Sequence, residues 1–382
     1  MKNTEKKDED LVEIVQPLVN WYRENKRDLP WRHNPDAYRV WISEIMLQQT
    51  RVEAVKPYFE RFMKALPDVK ALAECPEDEL LKLWEGLGYY NRVRNMQKAA
   101  ITVMEEYGGQ LPGEYEELLT LKGIGNYTAG AIATIAFGKK APAVDGNVFR
   151  ILTRVTADDS DIMKPAFRKV VEAAVQEVVP DEATKETVHL RKKVRFENLP
   201  GAFSQAMMEL GATVCLPNGT PHCEECPWNA FCEARKQNKI VELPVKTKAK
   251  PRKIEERTVL VIRDGDKVAI RKRPQKGLLA GLYELPNELG EMTSEEALDY
   301  VKKLSLSPIR IQKLADAKHI FSHIEWRMCG YMIRVEELEG ERDDLLFVEA
   351  EDSQEKYAIP SAFEAYANYM NIRLGNDRFL DE

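Results

Sequence analysis

Four cysteines, Cys215, Cys223, Cys226 and Cys232, follow one another in the spacing Cys-x7-Cys-x2-Cys-x5-Cys. Four thiolates so close in sequence can hold a zinc ion or an iron–sulfur cluster. Zinc sites more often pair two Cys-x2-Cys knuckles at a distance, so one compact run with a single knuckle favours a cube-shaped 4Fe–4S cluster over zinc. The other two cysteines, Cys75 and Cys329, are isolated, and in a cytoplasmic chain a cysteine cluster points to metal rather than to disulfides. Two carboxylates also stand in unusual surroundings. Glu44 sits inside the apolar helical run VWISEIMLQQT, with Val40, Trp41, Leu47 and Gln48 on its face. A carboxylate there either pairs with a cation, for which Arg27, Arg32 and Arg51 are at hand, or has its pKa raised by desolvation, which would suit a general acid near neutral pH. Asp145 precedes Gly146 and Asn147 in AVDGNVFR; Asp-Gly-Asn is a good helix N-cap or turn, and capping aspartates greatly outnumber catalytic ones.

The stretch LKGIGNYTAG poses a third question. Gly123 and Gly125 bracket Ile124, so the backbone can turn through positive φ and leave amide N–H groups pointing outward. A helix beginning at about Tyr127 adds its positive dipole end, and Lys122 adds a charge. Together these make an anion site suited to a DNA phosphate. The small-residue helix TAGAIATIAF could equally be packed core.

The elements that must position these groups come from the patterning of a 382-residue chain. Its length suggests two domains. Residues 10–235 read as mostly helical: Leu11, Ile14, Val15, Leu18, Val19 and Tyr22 recur at helical spacing, and the segments around 39–63, 77–86, 92–107, 114–121, 127–137 and 165–178 behave alike. Residues 1–9 form a charged tail, taken as flexible, and 236–257 a basic linker. From Lys236 to Lys253 seven basic residues accompany one acid, Glu242; this run is a solvated connector or a phosphate contact. Residues 258–372 change texture. TVLVIRDGDKVAIRKR is two β-rich runs around Asp264-Gly265, Thr293 and Glu296 form a capping box before ALDYVKKL, and FSHIEWRMCGYMIRVEE looks like a further pair of strands, giving an α+β domain. The net charge of −7 argues weakly against nucleic acid, although local patches matter more than totals because charge fields decay within about 8–10 Å at physiological salt. No run approaches a membrane span. The sequence MKNTEKKDED lacks the apolar core of a secretory signal. A cytoplasmic monomer, nucleoid-associated if bacterial, is expected.

The glycine hairpin, the downstream aspartate and the four-cysteine run together resemble the helix-hairpin-helix DNA glycosylase superfamily, and LPWR, VWISEIMLQQT, GLGYYNRVRN and VDGNVFR resemble its adenine DNA glycosylases of the MutY type. The resemblance covers nearly the whole chain. It implies a mostly α N-terminal helix-hairpin-helix glycosylase domain with a four-cysteine cluster loop at 215–232, followed by an α+β Nudix-like C-terminal domain. It implies a 4Fe–4S cofactor, and duplex DNA holding adenine opposite 8-oxoguanine (or guanine) as substrate, the adenine being flipped from the stack. By the same resemblance Glu44 would protonate N7 of adenine and Asp145 would stabilise the oxocarbenium-like sugar, supported by Tyr127 and Asn147. Arg27, Leu29, Trp31 and Gln205 match positions lining the adenine pocket. Gln49 and Tyr89 match residues that insert into the duplex, and Lys122, Gly123 and Gly125 fall in the DNA-binding hairpin. Relatives that also cut the DNA backbone carry a lysine where Tyr127 stands, so a monofunctional enzyme is implied. Phe321, Ser322 and His323 resemble the loop that recognises 8-oxoguanine, and GLYELPNE resembles the strand before a Nudix helix. SEEALDYVKKL does not supply the Arg-Glu-x-x-Glu-Glu metal ligands of a pyrophosphohydrolase, so this domain reads as a lesion-binding module.

Three features depart from the family pattern. The first cysteine interval is seven residues rather than six, with His222 next to Cys223 as a possible substitute ligand; a one-residue loop bulge with the cluster retained is expected. Lys122 replaces a usual proline. The stretch 183–198 is longer than usual and reads as an extended surface helix or loop. A glycosylase for another mismatch, such as thymine opposite guanine, and a non-catalytic lesion-binding protein are the competing readings.

Overall fold

The run TVLVI at 258–262 is apolar without alternation, which fits a strand covered on both faces. The computed structural model, which describes residues 2–181, 197–247, 251–340, 342 and 345–375, places it in the middle of a sheet. The chain divides into two units, residues 1–73 with 95–248 and residues 74–94 with 249–382. Of the long stretch 183–198, residues 183–196 lie outside the described residues.

The first unit is helical. Its elements are α1 (Lys2–Asn25), a 3-10 turn (Pro30–Arg32), α2 (Ala37–Leu47), α3 (Val52–Ala65), α4 (Val69–Glu74), α6 (Asn91–Glu106, entered from the second unit), α7 (Tyr115–Thr120), α8 (Asn126–Ile135), α9 (Gly146–Thr156), α10 (Pro165–Val178), α11 (Leu199–Thr213) and α12 (Glu233–Lys236). The helical periodicity expected over 39–63 is interrupted: α2 ends at Leu47, and Gln49 lies in the left-handed region at φ 61. The apolar spacing runs through the break, which is why periodicity alone does not reveal it. The i, i+3, i+4 stripe of α1 (Val15, Leu18, Val19) packs with Phe149 of α9, Phe203 and Leu210 of α11, and Trp228.

Helix α8 is buried from Thr128 to Ile135. Its small residues let other backbone come close: a Cβ on Gly130 would stand 2.0 Å from the Pro142 carbonyl oxygen, on the segment leading to Asp145. Asn198 caps α11 by accepting from the Gly201 amide (2.8 Å) and donates through Nδ2 to the last carbonyls of α8, Thr134 and Ile135 (2.9 Å each). One side chain thus satisfies orphan groups at two helix ends.

The second unit holds a seven-stranded sheet among the described residues: β1 (Lys253–Asp264), β2 (Lys267–Lys272), β3 (Tyr283–Glu284), β4 (Asn287–Leu289), β5 (Pro308–Ile320), β6 (Ile324–Val335) and β7 (Leu346–Glu349). The path is β3-β2-β1-β6-β5, with β4 on β1 and β7 on β2; β1 and β6 run parallel, and the expected β1–β2 hairpin closes at Asp264↔Lys267. Val259 and Val261 face a cluster with Phe363 and Tyr366, while Leu260 and Ile262 face Ala297 and Val301 of α13 (Ser294–Lys303). Alternate residues of one apolar strand therefore serve two cores. The capping box of Thr293 and Glu296 is present at α13. The segment expected to be two strands, 321–337, is a tight turn followed by the single strand β6. Gly330, within β6, serves close approach: a Cβ there would meet Tyr366 Cε1 at 2.4 Å.

Because the obstacle at Gly130 is backbone, which cannot swing away, Gly130→Ala should destabilise the helical unit by about 2–3 kcal/mol. Urea unfolding of the purified variant measures this, and a native-like midpoint would contradict the packing described.

Candidate active site

Helix α2 ends, α8 begins, α9 begins and α11 passes around one cavity of about 720 Å³ in the first unit. It is lined by Glu44, Gln49, Tyr127, Asp145 and Asn147, and also by Arg27, Leu29, Trp31 and Gln205. Nine residues scattered from position 27 to position 205 of the sequence thus meet in one place.

Glu44 is 7% exposed. None of the three suggested arginines forms an ion pair with it. Arg51 is exposed at the start of α3, and Arg27 and Arg32 both turn to Glu209. Glu44 instead accepts a hydrogen bond from the Tyr127 hydroxyl, which also lies 3.2 Å from the Met208 sulfur. Burial is the main influence on the Glu44 carboxyl; the Tyr127 bond opposes it, Asp145 adds to it, and the result is a pKa pushed up to about 7. Tyr127 is raised well above its ordinary value, first by burial and then by Glu44, so it stays a phenol.

Asp145 bears out its reading as a helix cap. It is the N-cap of α9, and it faces the cavity. Its Oδ1 accepts from the amides of Asn147 (2.9 Å) and Val148 (2.8 Å), and its Oδ2 from the Asn147 side-chain amide (2.7 Å). Burial is the largest influence and leaves its pKa raised, although these donors and Arg150 pull the other way. Asn147 is held in turn by Arg150, whose Nη2 donates to Asn147 Oδ1 and to the Gly211 carbonyl at 2.7 Å each. Two carboxyls on one cavity wall are thus differently supplied: one faces a phenol, the other a helix N-terminus with three N–H donors.

Sequence reasoning overlooked Glu209, whose side chain is 1% exposed. It accepts from the Arg27 amide (2.9 Å), Arg27 Nε (2.8 Å) and Nη2 (3.0 Å), and Arg32 Nη2 (2.7 Å). Burial raises its carboxyl, but the bonds from Arg27 and Arg32 outweigh this and lower it to about 2. The available signal was an acid within the apolar run AMMELGA, four residues after Gln205. Trp31 is set edge-on against Phe59 (5.6 Å), and Gln205 accepts from Tyr22 (3.1 Å).

The hairpin needs one correction. Gly123 has φ +83, and a Cβ there would be 2.7 Å from Asn95 Cβ, so both backbone and packing demand glycine. Gly125, by contrast, is extended (φ −100, ψ 179) as the N-cap of α8, with open space where a Cβ would be. Lys122 is exposed beside them, and α8 begins at Asn126.

Cys215, Cys223, Cys226 and Cys232 line one small cavity with Arg154 and Val214, and none is in a disulfide. Arg154 Nη1 lies 3.3 Å from the Cys215 sulfur. Burial pushes the Cys226 thiol up to about 12, so a ligand here must bring the positive charge that ionises it. Among the described residues no three such side chains are gathered as they would be around a single ion. His222 is exposed and does not line the cavity; between Cys215 and Cys223, residues 217–220 are exposed and Gly219 has φ +77.

Tyr89 and Phe321–His323 belong to the second unit. Tyr89 is 49% exposed, and its hydroxyl lies 3.0 Å from Ser322 Oγ. Phe321 is wedged between His319 (4.6 Å) and Trp326 (4.9 Å).

Residues 42–180 match the family model of the HhH-GPD superfamily base excision DNA repair proteins, and residues 258–369 match the NUDIX domain. The chain thus joins a domain of the HhH-GPD class of base excision DNA repair proteins to a Nudix-like domain. Adenine DNA glycosylases of Mus musculus and Homo sapiens are each 34% identical over 86% of this chain, covering 72% and 68% of theirs. The adenine DNA glycosylase of Buchnera aphidicola from Acyrthosiphon pisum is 32% identical over 84% of this chain and 86% of its own. A solved thermostable thymine-DNA glycosylase superposes with a TM-score of 0.50 at 27% identity, over 61% of this chain and 99% of that one. The chain belongs to the adenine DNA glycosylase family. No helix among the described residues is long and apolar enough to cross a membrane.

The Glu209 network has a pH signature. Because its folded pKa is depressed, its stabilisation is complete above the ordinary value of 4.5 and is lost as pH falls through about 2. Glu209→Gln should cost roughly 3 kcal/mol at neutral pH, at the low end for a broken buried pair because Arg27 is partly exposed. An unchanged urea midpoint would show that the two arginines find other partners.

Proposed function

We propose that this chain removes adenine paired with 8-oxoguanine, or with guanine, from duplex DNA by hydrolysing its N-glycosidic bond. The observation that carries the reading is the pair Glu44, buried, and Asp145, half-buried, which line one cavity in different chemical surroundings. With its pKa pushed up to about 7, Glu44 is protonated in about half of the molecules at neutral pH, and that fraction can deliver the proton to N7 of a flipped adenine. The C1′–N9 bond then breaks with its electron pair leaving on the base. Asp145, favoured as the anion by its donors, stabilises the sugar cation until water adds at C1′ and loses its proton to Glu44. Tyr127 holds the acid in place, and Asn147 fixes Asp145. Arg27, Leu29, Trp31 and Gln205 would shape the pocket around the base. The phenol of Tyr127 offers no amine for a Schiff base, so the backbone is left uncut.

DNA would lie against Lys122, Gly123 and Gly125. Open space at Gly125, where neither φ nor packing requires glycine, is what a phosphate approaching the α8 N-terminus needs. Gln49 and Tyr89 would enter the duplex, and Phe321, Ser322 and His323 would read the opposite base. Cys215, Cys223, Cys226 and Cys232 would hold a 4Fe–4S cluster, for which an enclosed, four-thiol cavity is suited. When bound, that group supplies four iron–thiolate bonds closing the 215–232 loop onto α11 and α12.

The direct test is a duplex with one adenine opposite 8-oxoguanine. Strand breaks should appear only after alkali; breaks without alkali would require another nucleophile, and no release at all would favour another mismatch or a binding role. Glu44→Gln should lower single-turnover excision by ~10²–10⁴-fold while duplex binding persists. Since Glu44 acts protonated, excision should fall as pH rises through about 7; a rate flat from pH 6 to 9 would remove Glu44 from the acid role.

A further inference from the structure

The excursion of residues 74–94 into the second unit is tied there by a buried ion pair. Helix α5 (Glu77–Leu83) carries Lys82, whose Nζ donates to Glu85 Oε1 (3.1 Å), to Glu85 Oε2 (3.0 Å) and to the Tyr357 carbonyl (2.9 Å). Glu85 Oε1 accepts from the Ile359 amide at 2.7 Å. The two side chains are 9% and 0% exposed. The loop they grip is itself part of the core: Ile359 is fully buried, and the Ala358 carbonyl accepts from Tyr283 at the head of β3. A buried ion pair adds little net stability over an apolar pair of the same volume. Its geometry, however, admits only one placement of the segment that carries it.

That segment continues at once into the loop displaying Tyr89. Gly86 and Gly88 have φ 96 and 67, and Tyr89 itself is held at φ 48, a strained region for an aromatic residue. The loop is stiffened from within: Trp84 Nε1 donates to the Gly88 carbonyl (3.0 Å), and Arg92 Nη2 to the Leu87 (3.0 Å) and Gly88 (3.2 Å) carbonyls. At its tip Tyr89 meets Ser322.

We infer that Glu85, with Lys82, is a positioning residue for opposite-base discrimination: it fixes the Tyr89 loop to the body carrying Phe321–His323, so that lesion reading and duplex insertion occur as one rigid-body event. Neither Lys82 nor Glu85 touches the 720 Å³ cavity, so the chemistry of excision does not depend on them. The inference rests on the proposed roles of Tyr89 and the 321–323 turn.

The test compares two double variants of the full-length chain. Lys82→Met/Glu85→Leu removes the charges and the contacts to Tyr357 and Ile359. Lys82→Met/Glu85→Gln removes the charges but keeps an acceptor for the Ile359 amide. Both avoid a lone buried charge. The readouts are single-turnover excision of adenine opposite 8-oxoguanine and opposite guanine, and the fluorescence of a 2-aminopurine placed next to the opposite base. The first variant should lose about tenfold of its preference for 8-oxoguanine, the scale of one aromatic stacking contact, and should lose the fluorescence change. The rate opposite guanine should hold, and the second variant should recover most of the preference. Native-like preference in the first variant, or an equal fall on both substrates, would overturn the inference. If the unaltered chain excises no adenine, the proposed function fails instead. The same variants then compared for binding to 8-oxoguanine and guanine duplexes still decide the positioning role, since equal affinity ratios would reject it.

Discussion

A carboxyl group taken out of water must be given a cation or keep its proton, and the site of this protein is organised by how that choice is made at three places. Glu209 receives two arginines and is held as an anion. Asp145 receives three N–H donors at a helix start. Glu44 receives only a phenol and lies beside Asp145, so protonation near neutrality is the outcome. Had Arg27 or Arg32 reached Glu44, the acid would be an inert ion pair. Their capture by Glu209 is therefore part of the same electrostatic arrangement, although Glu209 sits on a different helix.

Much of this was legible in the sequence because the signals are local. A carboxylate inside an apolar helix, an Asp-Gly-Asn at a helix start and two glycines before a small-residue run each have few physical explanations. The helical first unit, the β1–β2 hairpin and the α13 cap also follow from local spacing. Pairings at a distance were hidden. Nothing near Glu44 says that none of the three arginines pairs with it; the reason is Glu209 in α11, more than 150 positions away. FSHIEWRMCGYMIRVEE looked like two strands, and a sequence does not show that Tyr366 presses on Gly330 within a single one. Gln49 was invisible as a helix end, since the apolar period continues across it.

The division of the chain into units shows a similar limit. Residues 74–94 carry ordinary helical patterning, and only their partners, the Tyr357–Ile359 backbone and the β2–β3 region, place them with the sheet rather than with the helices on either side in sequence. Such an excursion makes the chain enter the second unit twice, so neither unit is one continuous segment.

The double position of Asp145, as helix cap and cavity carboxylate, has an evolutionary consequence. Asparagine caps helices about as well as aspartate, so a change to asparagine would keep the acceptor that starts α9 while removing the charge from the cavity. A chain altered in that way would still fold and accumulate, and quality control that senses only unfolded protein would pass it. On the role proposed for Asp145, the lineage would then carry an abundant, inactive occupant of its own substrate, a fault harder to purge than simple loss of the protein.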